Sequence, residues 1–297
     1  MDLIPPMLIR IAPALFVLLW SSGFLGTKLG SSGAEPFTFL VIRFMLVLAL
    51  LLPVALWVKP PALDNRQRVH AIVVGVLMYS TYLGGVMWAM RAGMATNVAA
   101  LIVSLQPVLT AVLAALLLKE VITARHWFGI VLGLVGAGLV IGPKLIMSPD
   151  VASSITPATL FSTTLALFAI TIGTIYQKRF ASGFDLLSGA IWQYLGALAV
   201  TAPLAFAFET GHIDWTPGVV GALAWLVLVL SIGAMGLLFI LIKEHAVSAT
   251  SGLFYLVPGI TALMSFAMFG ETLSAMQLAG LVVVTVAVVL MQPSKVA

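Results

Sequence analysis

Two prolines inside long apolar segments are the residues best placed to expose polar backbone groups. Because proline has no amide hydrogen, Pro107 leaves the carbonyl of Val103 without its usual donor, and Pro258 does the same for Phe254. Two stripes of small and polar residues precede these prolines at helical spacing: Asn97, Ala100 and Ser104, and Ser248, Ser251 and Tyr255. Such residues can bind a small polar solute, and they also let helices pack closely. We expect the stripes to face each other across a substrate cavity, with gating at the two prolines.

Three aromatic residues, Trp20, Tyr79 and Tyr82, lie near the centres of apolar segments. A phenol at such a depth needs a hydrogen-bond partner or water. We therefore expect these side chains to line the cavity, where they would suit an apolar or aromatic substrate. The alternative is that they serve only to pack helices together.

Arg43 is the only fixed charge well inside an apolar segment. An unpaired guanidinium is costly there, and its planar set of donors suits a carboxylate or a phosphate. Arg43 is therefore a candidate anion anchor. The alternative is a structural role at the membrane interface or at helix-end carbonyls. We favour that alternative because Gln193 occupies the equivalent position in the second half of the chain.

The sequence repeats itself at an offset of about 150 residues. Pro107, Glu120 and Gly129 recur as Pro258, Glu271 and Gly280, and Lys28 recurs as Lys178. In membrane proteins, a duplication of this kind usually builds a substrate site between the two halves. Glu120 and Glu271 open the turns that follow long apolar runs, so we expect a structural role for each, by capping the next helix or binding its first amides.

Composition places these residues in a membrane. The 297-residue chain is 62% hydrophobic and 8% charged, whereas roughly a quarter of the residues in soluble proteins are charged. Cysteine is absent, which excludes disulfides and thiol catalysis. No catalytic or metal-binding motif is present, so we predict neither an enzyme nor a bound cofactor. The basic residues lie in short connections, and the net charge of +4 therefore indicates no nucleic-acid partner.

Apolar runs of about 20 residues predict transmembrane helices. Ten such runs are present, at 10–29, 36–57, 70–90, 94–117, 126–142, 157–177, 185–208, 218–242, 246–269 and 273–292. Ten basic residues lie on the side of the termini and three, Lys28, Arg91 and Lys144, on the other, which predicts cytoplasmic termini. Residues 1–147 and 148–297 then form two five-helix repeats. Because five is odd, the second repeat is inverted, and the two make one all-α membrane domain.

Several stretches resemble the EamA family of the drug/metabolite transporter superfamily. They are LWSSGFLGTK at 19–28, FLVIRF at 39–44 and GMATNVAALIVSLQPVLTA at 93–111, together with the repeated proline, glutamate and glycine. The second half departs from this pattern at Phe168 and Gln193. The resemblance implies the ten-helix inverted fold and a bacterial inner-membrane exporter. Exporters of amino acids, the YddG-like group among them, are the most similar in kind.

We therefore expect a carrier that exports amino acids, particularly aromatic or large neutral ones, by alternating access. No acidic residue or histidine lies inside a span, so we expect no proton relay. Carriers of nucleosides, sugars or drugs, and less readily a channel, are the alternatives. The partners of the protein would be the transported solute and the lipid bilayer. Gly129 and Gly133 form a close-packing motif, so the protein would be a monomer or a weak dimer.

Overall fold

The computed structural model describes residues 6–31, 33–146, 155–269 and 274–291, and most of them are helical. Within these ranges there is no β-strand, and one isolated bridge pairs Ala34 with Ile213. Eight helical segments of the described residues are long and apolar enough to cross a membrane, and two further apolar segments are shorter. Two of the eight, Val98–Leu118 and Val247–Met264, contain a break and are described below as two helices each. The protein is therefore an all-helical, multi-pass membrane protein, as composition predicts.

The first half contains α1 to α6 and the second half α7 to α12. The first six are α1 (Pro6–Ser31), α2 (Pro36–Val58), α3 (Asn65–Arg91), α4 (Thr96–Val103), α5 (Gln106–Leu113) and α6 (Ala124–Ile146). The others are α7 (Pro157–Ala181), α8 (Leu186–Phe208), α9 (Pro217–Glu244), α10 (Val247–Gly252), α11 (Leu256–Phe269) and α12 (Ala275–Met291). The predicted segments 94–117 and 246–269 are each divided into two helices.

Polar caps and prolines set the starts of several helices. Asp64 accepts the amide of Gln67, and the Gln67 side chain accepts the amide of Asp64, so that a capping box precedes α3. Asp185 accepts two amides in the first turn of α8. Proline occupies the first position of α2, α7 and α9, where its missing amide hydrogen would have had no helical partner.

The two halves are interleaved. α1 packs against α9 and α11, α2 and α3 pack against α8, and α6 packs against α12. The close approach of α6 and α12 depends on glycine. A Cβ added at Gly136 would lie 2.9 Å from the amide nitrogen of Val284. A Cβ added at Gly280 would lie 2.9 Å from the carbonyl oxygen of Gly136. Gly129 likewise packs on α12, so it contributes to an interface within the chain.

Candidate functional site

Both long apolar segments that contain a repeated proline are broken just before it. α4 ends at Val103, and a turn at Ser104 and Leu105 precedes α5, whose first turn contains Pro107. α10 ends at Gly252, and a 3₁₀ turn at Leu253–Tyr255 precedes α11, which contains Pro258. A proline removes one helical hydrogen bond and its ring crowds the preceding turn. The two breaks therefore occupy equivalent places in the two halves.

Ser104, the described polar side chain of the first stripe, is satisfied by the end of α4. The Ser104 hydroxyl donates to the carbonyl oxygen of Leu101 at 2.6 Å, and the side chain is buried. Ala100 is half-buried. Asn97 lies in α4, but its side chain is outside the described part of the structure. In this conformation the Ser104 hydroxyl thus satisfies a carbonyl oxygen in the last turn of α4.

The stripe on α10 is buried in helix packing. The Ser251 hydroxyl donates to the carbonyl oxygen of Ser248 at 2.9 Å, and both side chains are buried. The Tyr255 ring packs on Gly133 of α6, where a Cβ would overlap the ring. Its buried hydroxyl has no hydrogen-bond partner among the described residues. These three side chains, predicted to line a cavity, fill an interface between helices in this conformation.

Glu120 binds the start of α10 instead of the helix that follows it. Its Oε1 accepts the amide of Val247 at 2.9 Å, and its Oε2 accepts the amide and the hydroxyl of Ser248 at 3.3 and 2.8 Å. The prediction that Glu120 caps the next helix, α6, is therefore wrong. The cap of α6 is Thr123, whose hydroxyl accepts the amide of His126. Glu120 is therefore available to bind α10 in the second half of the chain. Glu271 lies outside the described residues.

Lys178 strengthens the same junction from α7. Its Nζ donates to the carbonyl oxygens of Ile242, Lys243 and His245 at 2.7, 2.9 and 3.0 Å. A cation at the end of α9 and a carboxylate at the start of α10 both complement the helix dipoles. We call this group, formed by Glu120 and Lys178 with residues 242–248, the lower clasp.

Carboxylates also join the halves at the other end of the helices. Glu209 accepts the amides of Phe37 and Thr38 at 2.8 and 2.6 Å, which caps α2. Glu35 in return accepts the amides of Thr210 and His212, each at 2.9 Å. We call this group, formed by residues 33–38 with 209–214, the upper clasp. It fixes the α1–α2 connection against the α8–α9 connection.

The upper clasp predicts a pH dependence of stability. Hydrogen bonds, the largest effect being that of the His212 amide, lower the pKa of Glu35 below its ordinary value of 4.5. A carboxylate with a lowered folded-state pKa stabilises the fold above its unfolded pKa, and that contribution is lost as the pH falls through the folded pKa. We expect Glu35→Gln to lower the apparent melting temperature near neutral pH. The difference from the wild type should shrink as the pH falls below 4.5.

Thermal unfolding in detergent across this pH range measures the effect. Glu244→Gln serves as the control, because it neutralises an exposed carboxylate in the residue range of the lower clasp, where the hydrogen bonds are made by Glu120 and Lys178 and not by Glu244. A difference between Glu35→Gln and the wild type that persisted unchanged in acid would contradict the role assigned to the ionised carboxylate.

Arg43 lies deep in the protein, within a group of polar and aromatic side chains. Its Nε–H donates to the hydroxyl of Ser231 on α9 at 2.9 Å, and its side chain is 5% exposed. The Tyr194 hydroxyl donates to the carbonyl oxygen of Ser231 at 2.9 Å. The Tyr79 and Tyr194 rings are stacked, with centroids 4.4 Å apart. We call Arg43, Tyr79, Tyr194 and Ser231 the arginine cluster.

The hydrogen bond of Arg43 differs from the helix-end carbonyl contact considered for it, because the acceptor is a side chain of another helix. The partner of Arg43 is a side chain 188 residues away in the sequence. Within the described part of the chain, its guanidinium forms no ion pair. Gln193, the counterpart of Arg43 in the second half, forms a different contact. Its Nε2 donates to Gln177 Oε1 at 3.1 Å.

A cavity of about 200 Å³ adjoins the arginine cluster. Tyr79 and Ser231 form part of its wall, and the rest of the lining is apolar, including Leu51, Leu187 and Phe239. Among the residues predicted to bind substrate, Tyr79 lines this cavity. Typical pockets for drug-sized ligands measure about 300–1,000 Å³, so the volume of this cavity matches a small solute better than a drug-sized one in this conformation.

The other predicted aromatic residues are buried in the core. Trp20 packs edge-on against Phe254, with ring centroids 5.2 Å apart, and also against Phe16. Tyr82 is buried within α3. Trp20 thus contacts Phe254. The carbonyl of Phe254 is the one that lacks a helical donor because of Pro258.

Two members of the arginine cluster, Tyr194 and Ser231, were not predicted from the sequence. Tyr194 follows Gln193, the counterpart of Arg43, near the middle of α8. Ser231 is the only hydroxyl-bearing residue in the apolar run LVLVLSIGA. Each was a polar residue at membrane depth, and that signal could have identified both.

The fold defines a multi-pass helical membrane protein, and comparison with known proteins identifies it as a transporter. The sequence model of the EamA-like transporter family matches residues 9–142 and again residues 158–292. The chain belongs to the EamA family of the drug/metabolite transporter superfamily. The resemblance seen in the sequence is therefore confirmed at the level of the family.

Individual relatives agree with this class. YedA, an uncharacterized inner membrane transporter of Escherichia coli K12, is 25% identical over 287 residues, which cover 95% of this chain and 90% of YedA. YyaM, an uncharacterized transporter of Bacillus subtilis, is 30% identical over 192 residues, 64% of this chain and 62% of YyaM. A solved crystal structure superposes with a TM-score of 0.78 over 95% of each chain, at 17% identity, which shows a shared fold.

Proposed function

We propose that the protein is a bacterial inner-membrane carrier that exports small organic metabolites, chiefly amino acids with aromatic or large neutral side chains. The observation that carries the proposal is the small cavity beside the arginine cluster, in a transporter fold with two equivalent helix breaks. Stacked tyrosines and an apolar lining suit an aromatic or aliphatic side chain. The limited volume argues against drug-sized solutes.

We place ten crossings in two inverted five-helix repeats, 1–147 and 148–297. The separate matches of the family model to the two halves support the duplication. The excess of basic residues on the side of the termini supports cytoplasmic termini. In this orientation the lower clasp faces the cytoplasm and the upper clasp faces the outside.

Alternating access would use the two helix breaks as hinges. The lower clasp holds α10 against the first half, so the site can open to the cytoplasm only when Glu120 releases α10. Movement of α4 and α10 about Pro107 and Pro258 would then expose their polar stripes to the solute. We therefore retain both stripes, with Trp20 and Tyr82, as substrate-binding residues of the transport cycle.

Counterflow into proteoliposomes tests the proposal. The vesicles are preloaded with one unlabelled amino acid, nucleoside or sugar, and uptake of labelled phenylalanine is followed. We expect saturable counterflow with large neutral amino acids, without any imposed pH gradient. Ser104→Leu should reduce it about tenfold or more by filling the path at the first break. Thr285→Leu is the matched control, because Thr285 also bonds its own helix but is exposed on α12.

The other outcomes separate the alternatives. Counterflow restricted to nucleosides or sugars would support the proposal that the protein is a carrier and would contradict amino acids as its substrates. Flux that does not saturate would favour a channel, and flux that strictly requires a pH gradient would contradict a carrier without a proton relay.

A further inference from the structure

Arg43 carries a positive charge that the described part of the chain leaves uncompensated. Its one hydrogen-bond partner there, Ser231, is neutral, and the guanidinium is buried. Every acidic residue in the sequence lies at or beyond the end of an apolar segment. A buried charge with one neutral partner is unfavourable, because the loss of hydration is not repaid by an opposite charge. An anion bound beside Arg43 would supply the opposite charge.

The cavity gives an anion a route to this charge. Ser231 is at once the hydrogen-bond partner of Arg43 and part of the cavity wall. An anion that enters beside Ser231 can replace its hydroxyl as the acceptor. Hydrogen bonds between charged groups are about twice as strong as neutral ones, and a carboxylate matches the planar guanidinium with two oxygens. The exchange would therefore favour a carboxylate.

The remaining lining indicates what the carboxylate is attached to. Leu51, Leu187, Met235 and Phe239 form an apolar surface opposite the polar wall. Among the described residues, none that lines this cavity is acidic, and Asp185 in the adjoining pocket already accepts two amides at the start of α8. The cavity wall itself therefore offers no carboxylate to pair with an ammonium group. The site thus distinguishes strongly between the two charged ends of an amino acid.

We propose that Arg43 and Ser231 bind the carboxylate of a solute with an apolar body, and that an α-amino group is not required. This assignment rests on the proposed function, because it makes the cavity the site of the transported solute. It extends that function by predicting that simple aryl carboxylates bind as well as amino acids do.

Ligand-induced thermal stabilisation of the purified protein in detergent tests binding without transport. The probes are 3-phenylpropionate, L-phenylalanine and L-phenylalaninamide, which share a ring and differ in their charged groups. A ligand that binds only the folded state raises the melting temperature. We expect both carboxylates to raise it and the amide, which lacks a carboxylate, to have no effect. Equal shifts with the amide, or no shift with either carboxylate, would overturn the proposal.

Variants at Arg43 separate an anchor from a structural residue. Methionine keeps much of the side-chain stem and removes the unpaired charge, so Arg43→Met should melt at the same temperature as the wild type or higher without ligand. It should bind the carboxylates about tenfold or more weakly. Arg43→Lys keeps the charge and should retain measurable binding. Arg179→Met, which removes an exposed arginine on α7, should bind normally.

Two results would contradict the anchor. Carboxylate shifts that survive in Arg43→Met would exclude a direct contact, and a large loss of stability in both Arg43→Met and Arg43→Lys would assign the residue to the fold. Counterflow measurements distinguish the carboxylate anchor from the proposed transport function. Phenylalanine counterflow that is unchanged in Arg43→Met would support transport and overturn the anchor. Carboxylate shifts lost in Arg43→Met, without counterflow of any solute, would support the anchor and contradict transport.

Discussion

Gly75→Ala should destabilise the protein more than the same substitution at the other two glycines of α3, Gly84 and Gly85. A Cβ at Gly75 would overlap the carbonyl oxygen of Gln193, which belongs to the backbone of α8 and cannot move aside like a flexible side chain. The two helices would have to separate, and overpacking of this kind costs about 3 kcal/mol or more. The apparent melting temperature in detergent should fall by roughly 5 °C or more.

The same substitution should also disturb the site. Gln193 precedes Tyr194, whose hydroxyl binds the backbone of Ser231. Displacing α8 therefore changes the arginine cluster, so we expect weaker ligand binding by Gly75→Ala at temperatures where it is still folded.

Gly138→Ala is the matched control for this prediction. It adds the same methyl group to α6, where no atom lies within 4 Å of the added Cβ. Its melting temperature should be unchanged or slightly higher, because alanine favours a helix over glycine by up to about 1 kcal/mol. Equal behaviour of the two variants would show that α3 and α8 are not in close backbone contact.

Glu120→Ala should open the lower clasp. The substitution removes three hydrogen bonds to Val247 and Ser248, one of them the cap at the start of α10. Bonds to a charged group contribute about 1.5–3 kcal/mol when buried, and Glu120 is half-buried. A net loss of about 1.4 kcal/mol would raise the population of the open state about tenfold. Glu120→Gln, which keeps an acceptor oxygen, should have an intermediate effect.

A cysteine reporter measures this change cleanly, because the natural chain contains no cysteine. Ser251→Cys places a thiol at a fully buried position on α10. We expect a membrane-impermeant maleimide, added to the lower-clasp side, to label it about tenfold faster when Glu120 is alanine.

Glu209→Ala provides the control at the opposite end. It also removes a half-buried carboxylate with three hydrogen bonds, but from the upper clasp. Labelling of Ser251→Cys from the lower side should not accelerate in this variant. If both glutamate variants accelerated it equally, the effect would reflect general loosening and not release of α10.

Several features follow from the sequence because they depend on local or summed properties. Hydropathy identifies the membrane class, since too few polar residues are present to cover a soluble surface. The helix starts are encoded by caps such as Asp64 and by first-turn prolines. The breaks before Pro107 and Pro258 follow from a missing amide hydrogen, which acts within one turn of the residue. The repeat and its flanking motifs were enough to identify the family.

The partners of the polar side chains were decided by tertiary structure. Sequence periodicity assigns a residue to a face of its own helix, but it does not say which distant helix packs against that face. Glu120 binds α10 because interleaving of the halves brings residues 120 and 247 together, although its nearest helix start is α6. Arg43 meets Ser231 for the same reason. The class, the helices and their breaks therefore follow from local and summed properties of the chain, whereas packing between helices far apart in the chain selects the side chains that form the site.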